Sequence, residues 1–453
     1  MAIVPERTRR ALLGGGMGAT LVATAATAQL AEGRAPPGSG AATGPRPNSD
    51  QDQTAALQRA LTGAARDRST VHLPPGRYRV GGLTLPSGVR LNGAGAGATV
   101  LVQASAEPLL VARGGEQIAL DGLTLEGNPA AGRTTSLVSF ADVAVLVVSE
   151  IAVTQASGTA VRLERCGGRI ERCSVSQADI GIFSLDAAGL QIVGNVVDGC
   201  RNNGVQIWRS QKGYDGTQVL ANRVSNVRAE AGGSGQNGNG INVFRAGGVI
   251  VGENVIRDCT FTAVRNNAGD NVQILGNSCI NLGEVAIYAE FTFEGCIIAN
   301  NLVDRANVGV SITNFNDNGR LAVASGNIVR NLFRRFNPEK AAFDGGSGIA
   351  VEADASVTGN VVEGAEVAGI AIGYGPYQRD VVCSGNVARR CAYGVSVSVV
   401  PNSGTAQIAN NILSECRRGR IVGFDHDKPV TGDLADGADQ RFPHLAVHGN
   451  TGR

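Results

Sequence analysis

The sequence runs Leu190-Gln191-Ile192-Val193-Gly194-Asn195-Val196-Val197-Asp198-Gly199-Cys200 at the first of nine places where one short phrase occurs. The phrase is an Asn, any residue, an apolar residue, two polar residues and an apolar residue. Its Asn residues stand at 195, 222, 254, 277, 301, 327, 360, 386 and 411, so that successive copies are 23 to 33 residues apart. Short segments of alternating apolar residues come before the Asn and usually after it.

This repeat predicts the fold. Its apolar residues alternate instead of recurring every 3.6 residues, which indicates a solenoid built from strands. One repeat cannot bury its own apolar face, so each stacks on the next, about 4.8 Å away. Stacked Asn side chains can donate to one neighbour and accept from the other, and Asn tolerates left-handed angles at a corner. Since parallel crossovers are right-handed, we predict an all-β fold, a single-stranded right-handed parallel β-helix. A β-propeller would need four strands in a repeat of about 40 residues.

The composition excludes some classes of partner. The 453 residues are predicted to form one long domain, because the core of a solenoid grows along an axis. A formal net charge of +1 shows no bias toward polyanions, so no nucleic-acid partner is predicted. No two of the nine Cys form a Cys-x-x-Cys pair. Cys200, Cys259, Cys391 and Cys416 each follow a repeated Asn by five residues, and we interpret them as small core residues in one column.

The first 28 residues are predicted to be an export signal. Arg9-Arg10 precedes a run rich in Gly, Ala and Thr, and Ala26-Thr27-Ala28 offers a small-x-small cleavage site. The run is too weakly apolar to be a good membrane span, and no other segment is a candidate for one. We therefore expect a periplasmic or secreted protein, exported folded by the twin-arginine route, with no membrane insertion after signal removal.

The remaining boundaries follow from composition and pattern. In order, we predict a signal at 1–28, a flexible linker at 29–48, a capping helix at 49–66, the β-helix at 67–420 and a carboxy-terminal cap at 421–453. The helix would carry Leu57, Leu61 and Ala64 on one face, with Ser49 and Asp52 as its capping box. An amphipathic helix here would cover the apolar core that the end of a solenoid exposes.

Two levels of family resemblance can be identified. The helix is followed by Leu73-Pro74-Pro75-Gly76-Arg77-Tyr78-Arg79-Val80 and Leu83-Thr84-Leu85-Pro86-Ser87-Gly88-Val89-Arg90-Leu91. This order resembles the amino-terminal entry of the pectate-lyase-like superfamily, whose members largely bind, cleave or epimerise polysaccharides. The whole chain resembles the twin-arginine-translocated repeat proteins, bacterial β-helix proteins without an assigned activity. The segments that carry this second resemblance are 235–245, 283–286, 314–316 and 319–323. The second resemblance implies a fold and export from the cytoplasm, but it does not imply a reaction.

Two exposed columns are predicted on the strands that follow each repeated Asn. If the first and third residues after each strand's Gly point inward, the second and fourth point outward and stack. The first column is Gln206, Asn242, Arg265, Tyr288 and Ser311, and the second is Trp208, Phe244, Asn267, Glu290, Thr313 and Glu352. Aromatic rings, amide groups and charged groups on one flat face can bind a sugar chain, because rings stack on the sugars and polar groups bind their hydroxyls and carboxylates. The predicted substrate-binding residues are Trp208, Lys212, Asp215, Asn242, Phe244, Asn267 and Tyr288. The alternative is that these are ordinary solvated strand residues.

Two enzyme classes can be drawn on this face. In a polysaccharide lyase, Arg265 would bind or deprotonate beside an acidic sugar's carboxylate, with Tyr288 or Lys212 assisting proton transfer. In a glycoside hydrolase, Glu290 and Glu352 would be the carboxylate pair, two coils or about 9.6 Å apart. The candidate catalytic residues are therefore Arg265, Glu290 and Glu352. Asn266 occupies an inward position, so either the register shifts there or a polar group is buried.

No metal or cofactor is required by the sequence. The four His, at 72, 426, 444 and 448, lie outside the central coils, which argues against zinc chemistry there. The acidic tail from Asp425 to Asp439 could hold Ca²⁺, but we favour a solvated cap. Residues 233–238 match G-x-G-x-x-G, yet a strand pattern follows where a dinucleotide site needs a helix.

Our leading hypothesis is an exported β-helix that binds a polysaccharide along one exposed face, with an acidic polymer as one option and cleavage or modification as a further step. The rival is a non-catalytic structural or adhesion solenoid of the cell envelope. A third idea is an accessory factor for another exported protein. The enzyme hypothesis predicts a groove walled by the inserts at 228–239 and 334–346, with Trp208, Arg265, Glu290 and Glu352 pointing into it. The sequence leaves the oligomeric state open.

Overall fold

The computed structural model describes residues 44–233, 235–314, 318–337 and 341–452. In this part the chain forms a parallel β-solenoid of about 14 turns, preceded by one α-helix. The predicted parallel β-helix with an amino-terminal helix is thus confirmed. The predicted signal peptide, the linker up to residue 43 and the pair Phe315 and Asn316 lie outside the described residues.

Helix α1 covers the amino-terminal end of the coils. It spans Thr54–Asp67 and buries Leu57, Leu61 and Ala64, the face that the sequence predicts. The predicted capping box is wrong, because the residue at the N-cap is Gln53 and its side chain caps nothing. Asp52 instead accepts a hydrogen bond of 2.6 Å from the backbone N–H of Thr54, and the helix starts later than predicted.

Each coil contributes strands to three parallel faces. Face A, which follows the repeated Asn, consists of Gly76–Val80, Thr99–Gln103, Thr124–Glu126, Ala152–Thr154, Ser174–Ser176, Val196–Asp198, Arg223–Val227, Val255–Cys259, Ser278–Glu290, Leu302–Thr313, Ile328–Leu332, Val361–Ala365, Val387–Arg389 and Ile412–Ser414. Face B, the next one along the chain, consists of Leu83–Thr84, Leu110–Asp121, Ser136–Ser149, Thr159–Glu164, Ile180–Leu185, Asn203–Tyr214, Asn239–Gly247, Val264–Asn267, Ser278–Glu290, Leu302–Thr313, Ser347–Val351, Ala368–Ile372, Tyr393–Ser398 and Gly419–Asp425. Face C, which precedes the repeated Asn, consists of Thr70–His72, Arg90–Asn92, Leu110–Asp121, Ser136–Ser149, Gly168–Glu171, Gln191–Val193, Gln218–Leu220, Ile250–Gly252, Val272–Leu275, Glu294–Ala299, Arg320–Ser325, Ala353–Thr358, Arg379–Ser384, Ala406–Ala409 and Leu445–His448. Four long strands bend around a corner and therefore belong to two faces.

A few elements depart from the coils. Arg334–Asn337 and Ala342–Gly345 pair antiparallel, and we call them the hairpin. Lys428–Asp433 runs back antiparallel along Gly419–Asp425, the last strand of face B. Short 3₁₀ segments occur at Pro129–Ala131, Gly375–Tyr377 and Ala438–Arg441.

The repeated Asn side chains form a continuous ladder between faces C and A. The Nδ2 of Asn195 donates to the Oδ1 of Asn222 at 2.9 Å, and the same Oδ1 also accepts from the backbone N–H of Asn195. This pattern continues through the predicted members and ends at Asn450, which accepts from Asn411 at 2.9 Å. The ladder pairs buried amide groups that would otherwise lack partners, and so it fixes the register of the coils.

The left-handed residue at this corner is not the Asn itself. It is the preceding residue, for example Gly194 with φ 67°, Glu253 with φ 57° or Gly326 with φ 64°. The expectation that Asn supplies the left-handed angles is therefore wrong. Its role in the ladder is carried by the side-chain amide, and Gly is frequent before it because Gly adopts positive φ at no steric cost.

The core is a set of aliphatic columns that run the length of the solenoid. Cysteines fill positions in these columns, as predicted: all nine are free thiols, eight of them buried and Cys416 half-buried. No helix in the described ranges is long and apolar enough to cross a membrane.

Candidate functional site

Face B carries the two predicted columns in register. Strand pairing aligns Gln206, Asn242, Arg265, Tyr288 and Ser311, and beside them Trp208, Phe244, Asn267, Glu290 and Thr313. Glu352 continues the second column, because the residue before it, Val351, pairs with Ile312. The register does not shift at Asn266, which is fully buried and closes a tight turn by exchanging two hydrogen bonds with Gly269 at 3.1 Å.

Arg265 and Glu290 form a buried ion pair. The Nε and Nη2 of Arg265 donate to the two carboxylate oxygens of Glu290 at 2.7 and 2.8 Å, and their side chains are only 8% and 3% exposed. Asn267 donates a third hydrogen bond to this carboxylate at 2.7 Å. Burial lowers the pKa of Arg265, but its hydrogen bonds to Glu290 outweigh burial and raise the pKa above its ordinary value. The guanidinium therefore stays charged, and a role as base is not open to it.

Tyr288 lies under the same guanidinium. The Arg265 Cζ is 4.9 Å from the centre of the Tyr288 ring. Burial and the charge of Glu290 raise the pKa of Tyr288 to about 12, so its phenol stays protonated at neutral pH. We call Arg265, Tyr288, Glu290, Asn267 and Glu284 the buried cluster.

Glu284 is the member of this cluster that sequence reasoning missed. It sits in a bulge of the long strand, where the pairing register shifts between Leu282 and Val285. Its Oε2 lies 3.9 Å from the Nη1 of Arg265. Burial raises the pKa of Glu284, and the positive charges of Arg265 and Arg335 offset only part of this effect. The sequence gives no clear signal for it, because the nine-residue spacing from Asn277 to Ala286 is the same as that from Asn254 to Ala263 in the preceding coil.

Two inserts cover the buried cluster. The first, at 228–239, lies over the first column, where its Gly235 carbonyl accepts from Asn242 at 3.4 Å and its Gln236 carbonyl accepts from Asn203 at 2.7 Å. From the hairpin, Arg335 donates to the Gly283 carbonyl at 2.7 Å. The inserts thus shield the predicted catalytic pair Arg265 and Glu290 from solvent instead of walling an open groove above it.

Two further predicted binding residues have protein partners. Lys212 pairs with Asp270 at 2.8 Å. Asp215 is buried and accepts from the backbone N–H of Thr217 at 3.2 Å, and burial raises its pKa. Because Asp215 lies beneath the surface and closes a turn, the structure contradicts direct contact of its carboxylate with a polymer.

Trp208 and Phe244 lie half-buried on face B, one coil apart. Their ring centres are 5.4 Å apart, and Phe183 completes the group at 5.5 Å from Trp208. Two guanidinium groups lie over the outer rings, Arg162 at 4.9 Å from Phe183 and Arg245 at 4.7 Å from Phe244. We call these five side chains the aromatic platform.

The open groove of face B lies farther along the solenoid, toward the carboxyl terminus. It has a volume of about 820 Å³ and runs between the hairpin and the last antiparallel strand pair. Of the residues predicted to point into one groove, Glu352 lines it, whereas Trp208, Arg265 and Glu290 do not. Its lining includes Arg334, Phe343, Glu352, Tyr374, Tyr393, Arg417, Arg418, Phe424, His426 and Asp427.

One part of the groove gathers groups that can move protons. The Tyr374 hydroxyl donates to Asp427 at 3.3 Å, and its ring centre lies 5.1 Å from that of His426. The Nδ1 of His426 is 2.7 Å from an oxygen of Asp425. Burial raises the pKa of Tyr374, and the negative charges of Asp427 and Glu352 raise it further. Glu352 accepts a hydrogen bond of 2.9 Å from the backbone N–H of Asn314.

Rings and cations line the rest of the groove. Tyr393 and Phe424 meet edge to face with centres 5.1 Å apart. Arg417 and Arg418 are exposed, and neither forms a salt bridge with any residue in the described ranges. Cations without a carboxylate partner remain available to bind an anionic ligand.

Sequence reasoning assigned Asp425, His426 and Asp427 to the terminal cap. They form the turn of the last antiparallel strand pair, which extends the sheet of face B and places them beside Tyr374. The available signal was the second column, which continues from Glu352 through Gly373 and Ser398 to Phe424, the residue before Asp425.

The structure gives other partners to part of the acidic tail. Asp433 and Asp436 both pair with Arg420, at 3.2 and 2.6 Å. Among the described residues, no group of three or more His, Cys, Asp or Glu is arranged to hold a metal ion.

Comparisons with known proteins agree with the fold. A family model described as rhamnogalacturonase A/epimerase, pectate lyase-like, matches residues 42–323. No curated protein sequence matches the chain. Among solved structures, the chain is similar to the amino-terminal fragment of bacteriophage phi29 gene product 12, with a TM-score of 0.57, 15% identity, and coverage of 84% of this chain and 67% of that one.

Two further structures extend the comparison. Pre-mature phi29 gene product 12 gives a TM-score of 0.53 and 16% identity over 86% of this chain, which spans only 57% of that protein. The mannuronan C-5 epimerase A-module of Azotobacter vinelandii gives a TM-score of 0.43 and 16% identity, over 89% of this chain and 96% of the module. At these identities the likeness to the phage protein shows a shared fold.

Proposed function

The chain belongs to the rhamnogalacturonase A/epimerase, pectate lyase-like family, and from this premise we propose that it is an exported protein that binds an acidic polysaccharide in the open groove of face B and cleaves it by elimination. The observation that carries the proposal is one open groove in which exposed Arg side chains, aromatic rings and the Tyr374 and His426 pair occur together. The family match ends at residue 323, so the groove is argued from its own residues.

Binding follows from the chemistry of the lining. Sugar rings present apolar C–H faces that stack on exposed aromatic side chains, here Phe343, which is 57% exposed. Tyr393 and Phe424 are buried beneath the groove and support its lining. The carboxylates of an acidic polymer pair with guanidinium groups, for which Arg417 and Arg418 are available. A neutral polymer would leave these charges without partners, so the groove favours a polymer that contains uronic acids.

Elimination needs a base and an acid on the same sugar pair. The base removes the proton next to the sugar carboxylate, the C–O bond to the neighbouring sugar breaks, a C=C bond forms, and the acid protonates the departing oxygen. His426, oriented through Nδ1 by Asp425, is the proposed base. Tyr374 is the proposed acid, because burial and the neighbouring carboxylates raise its pKa and keep its proton in place at neutral pH.

The test is a polysaccharide panel with matched variants. Wild type should release unsaturated products from acidic polymers, measured by their absorbance. Tyr374→Phe and His426→Gln should each lower the rate by about 10² to 10⁴, the usual contribution of a positioned acid or base. Tyr214→Phe is the control, since Tyr214 is 79% exposed and lies outside the groove.

Two outcomes would contradict the elimination step. New reducing ends without unsaturated products would indicate hydrolysis instead. Binding of acidic polymers with no product of either kind would favour the non-catalytic adhesion solenoid.

Export from the cytoplasm is part of the same proposal. Arg9-Arg10 before a weakly apolar run supports export by the twin-arginine route, and membership among the twin-arginine-translocated repeat proteins would agree with it. Replacing both residues by Lys should hold the full chain in the cytoplasm of a bacterial host. Export that persists in these variants, or in a host without the twin-arginine translocase, would overturn this part.

A further inference from the structure

We infer that the aromatic platform is a second binding site for the same acidic polysaccharide, so that the protein selects polymers long enough to reach from the platform to the groove. This inference rests on the proposed function and specifies its substrate. It concerns Phe183, Trp208, Phe244, Arg162 and Arg245, none of which lines the groove.

The platform has the composition of a sugar site. Trp208 and Phe244 are directly paired in the strand register and remain half-buried, so parts of both rings face solvent. Arg245 is exposed, lies over Phe244 and forms no salt bridge with any residue of the described chain. Its guanidinium donates a hydrogen bond of 3.2 Å to the carbonyl of Ser210. A cation without an acidic partner beside open rings matches an acidic sugar.

The two sites lie on one line along the solenoid axis. The second column runs from Trp208 through Phe244, Asn267, Glu290 and Thr313 to Glu352, which lines the groove. Five coil steps of about 4.8 Å place Glu352 about 24 Å from Trp208. A polymer that passes over the inserts between the two sites contacts both sites at once, whereas a fragment much shorter than 24 Å contacts only one.

Simultaneous contact gives a steep dependence of affinity on length. Once one site is occupied, the second binding event is intramolecular, and affinity rises by about 10² or more without any new kind of contact. Fragments that are too short gain nothing. Affinity should therefore rise sharply at the length that spans both sites and change little beyond it.

The single Trp of the chain makes the platform directly observable. Trp208 is the only Trp among the 453 residues, so intrinsic Trp fluorescence reports this site alone. Long acidic polymers should change this fluorescence in wild type and in Tyr374→Phe, because binding at the platform does not need the proton-transfer groups of the groove.

Variants then separate the platform from the groove. Phe244→Ala should weaken the binding of long polymers at least tenfold and remove the sharp rise of affinity with polymer length. Arg245→Gln, which keeps the rings in place, should weaken binding of acidic polymers and reduce its salt dependence. Ile297→Ala, an exposed apolar change on face C, is the control and should alter neither property.

The inference is overturned if saturating polymer leaves Trp208 fluorescence unchanged, or if Phe244→Ala and wild type show the same dependence of affinity on length. Failure of the proposed function looks different: wild type would yield no product from any polymer, while the fluorescence and length measurements would still decide whether the platform binds.

Discussion

At the scale of single residues, the pairing of Arg265 with Glu290 explains how two charged side chains can be buried on face B. Both charges are removed from water, and their mutual hydrogen bonds compensate for that loss only while both partners are present. This makes the pair a structural element of the face, covered by the insert at 228–239. We therefore place any reaction that needs accessible charged groups in the groove.

Breaking this ion pair should be costly, and removing it should not. We predict that Arg265→Met lowers the free energy of unfolding by about 3–5 kcal/mol, because Glu290 is left charged and buried. The double variant Arg265→Met, Glu290→Met should recover most of that loss. Urea-induced unfolding followed by circular dichroism measures both values.

The exposed pair Arg320 and Glu294 provides the control, with side chains 50% and 53% exposed. Arg320→Met should cost less than about 1 kcal/mol. An equal cost at the two pairs would show that burial does not determine the value of the Arg265 pair.

Glu284 should make stability depend on pH. Its pKa is raised above 4.5 in the folded protein, so the folded state binds the proton more readily than the unfolded state does. Stability is therefore higher at pH values below 4.5 and falls as pH rises from 4.5 through the raised pKa. Glu284→Gln removes the ionising group and should be more stable than wild type at neutral pH.

The measurement is the difference in unfolding free energy between wild type and Glu284→Gln at several pH values. The difference should shrink as pH is lowered toward 4.5. Glu230→Gln, at an exposed position, should show no such trend. A wild type that gains stability relative to Glu284→Gln as pH rises would contradict the assignment.

Residue patterns predicted which side chains share a column but not which of them are accessible. The alternation of strand residues is enough to align Arg265 with Tyr288 and Asn267 with Glu290. Their exposure depends on what the inserts do, and inserts carry no repeat from which their path can be predicted. Asp215 illustrates the same limit, since a carboxylate that is predicted to bind substrate instead lies inward and closes a turn.

At the scale of structural elements, the Asn ladder is the feature that the sequence predicted best. A side chain that recurs once per coil must stack, and an amide that stacks can donate and accept in series. The helix start was predicted less well. Ser49 and Asp52 both bind nearby backbone N–H groups, but they do so in turns before the helix, which is a common alternative use of such side chains.

Removing one member from the middle of the ladder should destabilise its neighbours. Asn301 accepts from the backbone N–H and the Nδ2 of Asn277, at 2.9 and 3.0 Å. We predict that Asn301→Ala costs about 2–6 kcal/mol, because two buried donors lose their acceptor at about 1–3 kcal/mol each. Chemical unfolding gives the value.

The matched control lies at the end of the ladder. Asn450 makes the same two contacts with Asn411 but is only partly buried, so water can replace it. Asn450→Ala should therefore cost clearly less than Asn301→Ala. Equal costs would mean that burial adds nothing to the strength of the ladder.

At the scale of the whole molecule, the groove is assembled from parts that are distant in sequence. The hairpin supplies Phe343, and the last strand pair supplies His426 and Asp427. A regular repeat predicts where each coil lies, and it thereby predicts faces A, B and C. It does not predict how a segment outside the repeat folds back, which is why the terminal strand pair was assigned to a solvated cap.

The stacking of the coils also determines how far along the solenoid a destabilising substitution has an effect. Each coil contacts mainly its neighbours, so stability is close to a sum of local terms and nearest-neighbour terms. The helix α1 is the amino-terminal boundary of this stack, with Leu57 and Leu61 fully buried against the first coils. Weakening the helix should therefore loosen the nearest strands while distant coils stay folded.

We predict that Leu61→Ala removes about 2–5 kcal/mol from this end, the usual cost of truncating a buried Leu. Hydrogen exchange should then lose protection in Thr70–His72 and Arg90–Asn92, because these strands lie next to the helix, and should stay unchanged in Ile412–Ser414. Arg59→Ala, on the exposed side of the same helix, should leave all three segments protected. If Leu61→Ala instead lowered protection equally at both ends, the coils would unfold as one cooperative unit, and nearest-neighbour coupling would not describe this solenoid.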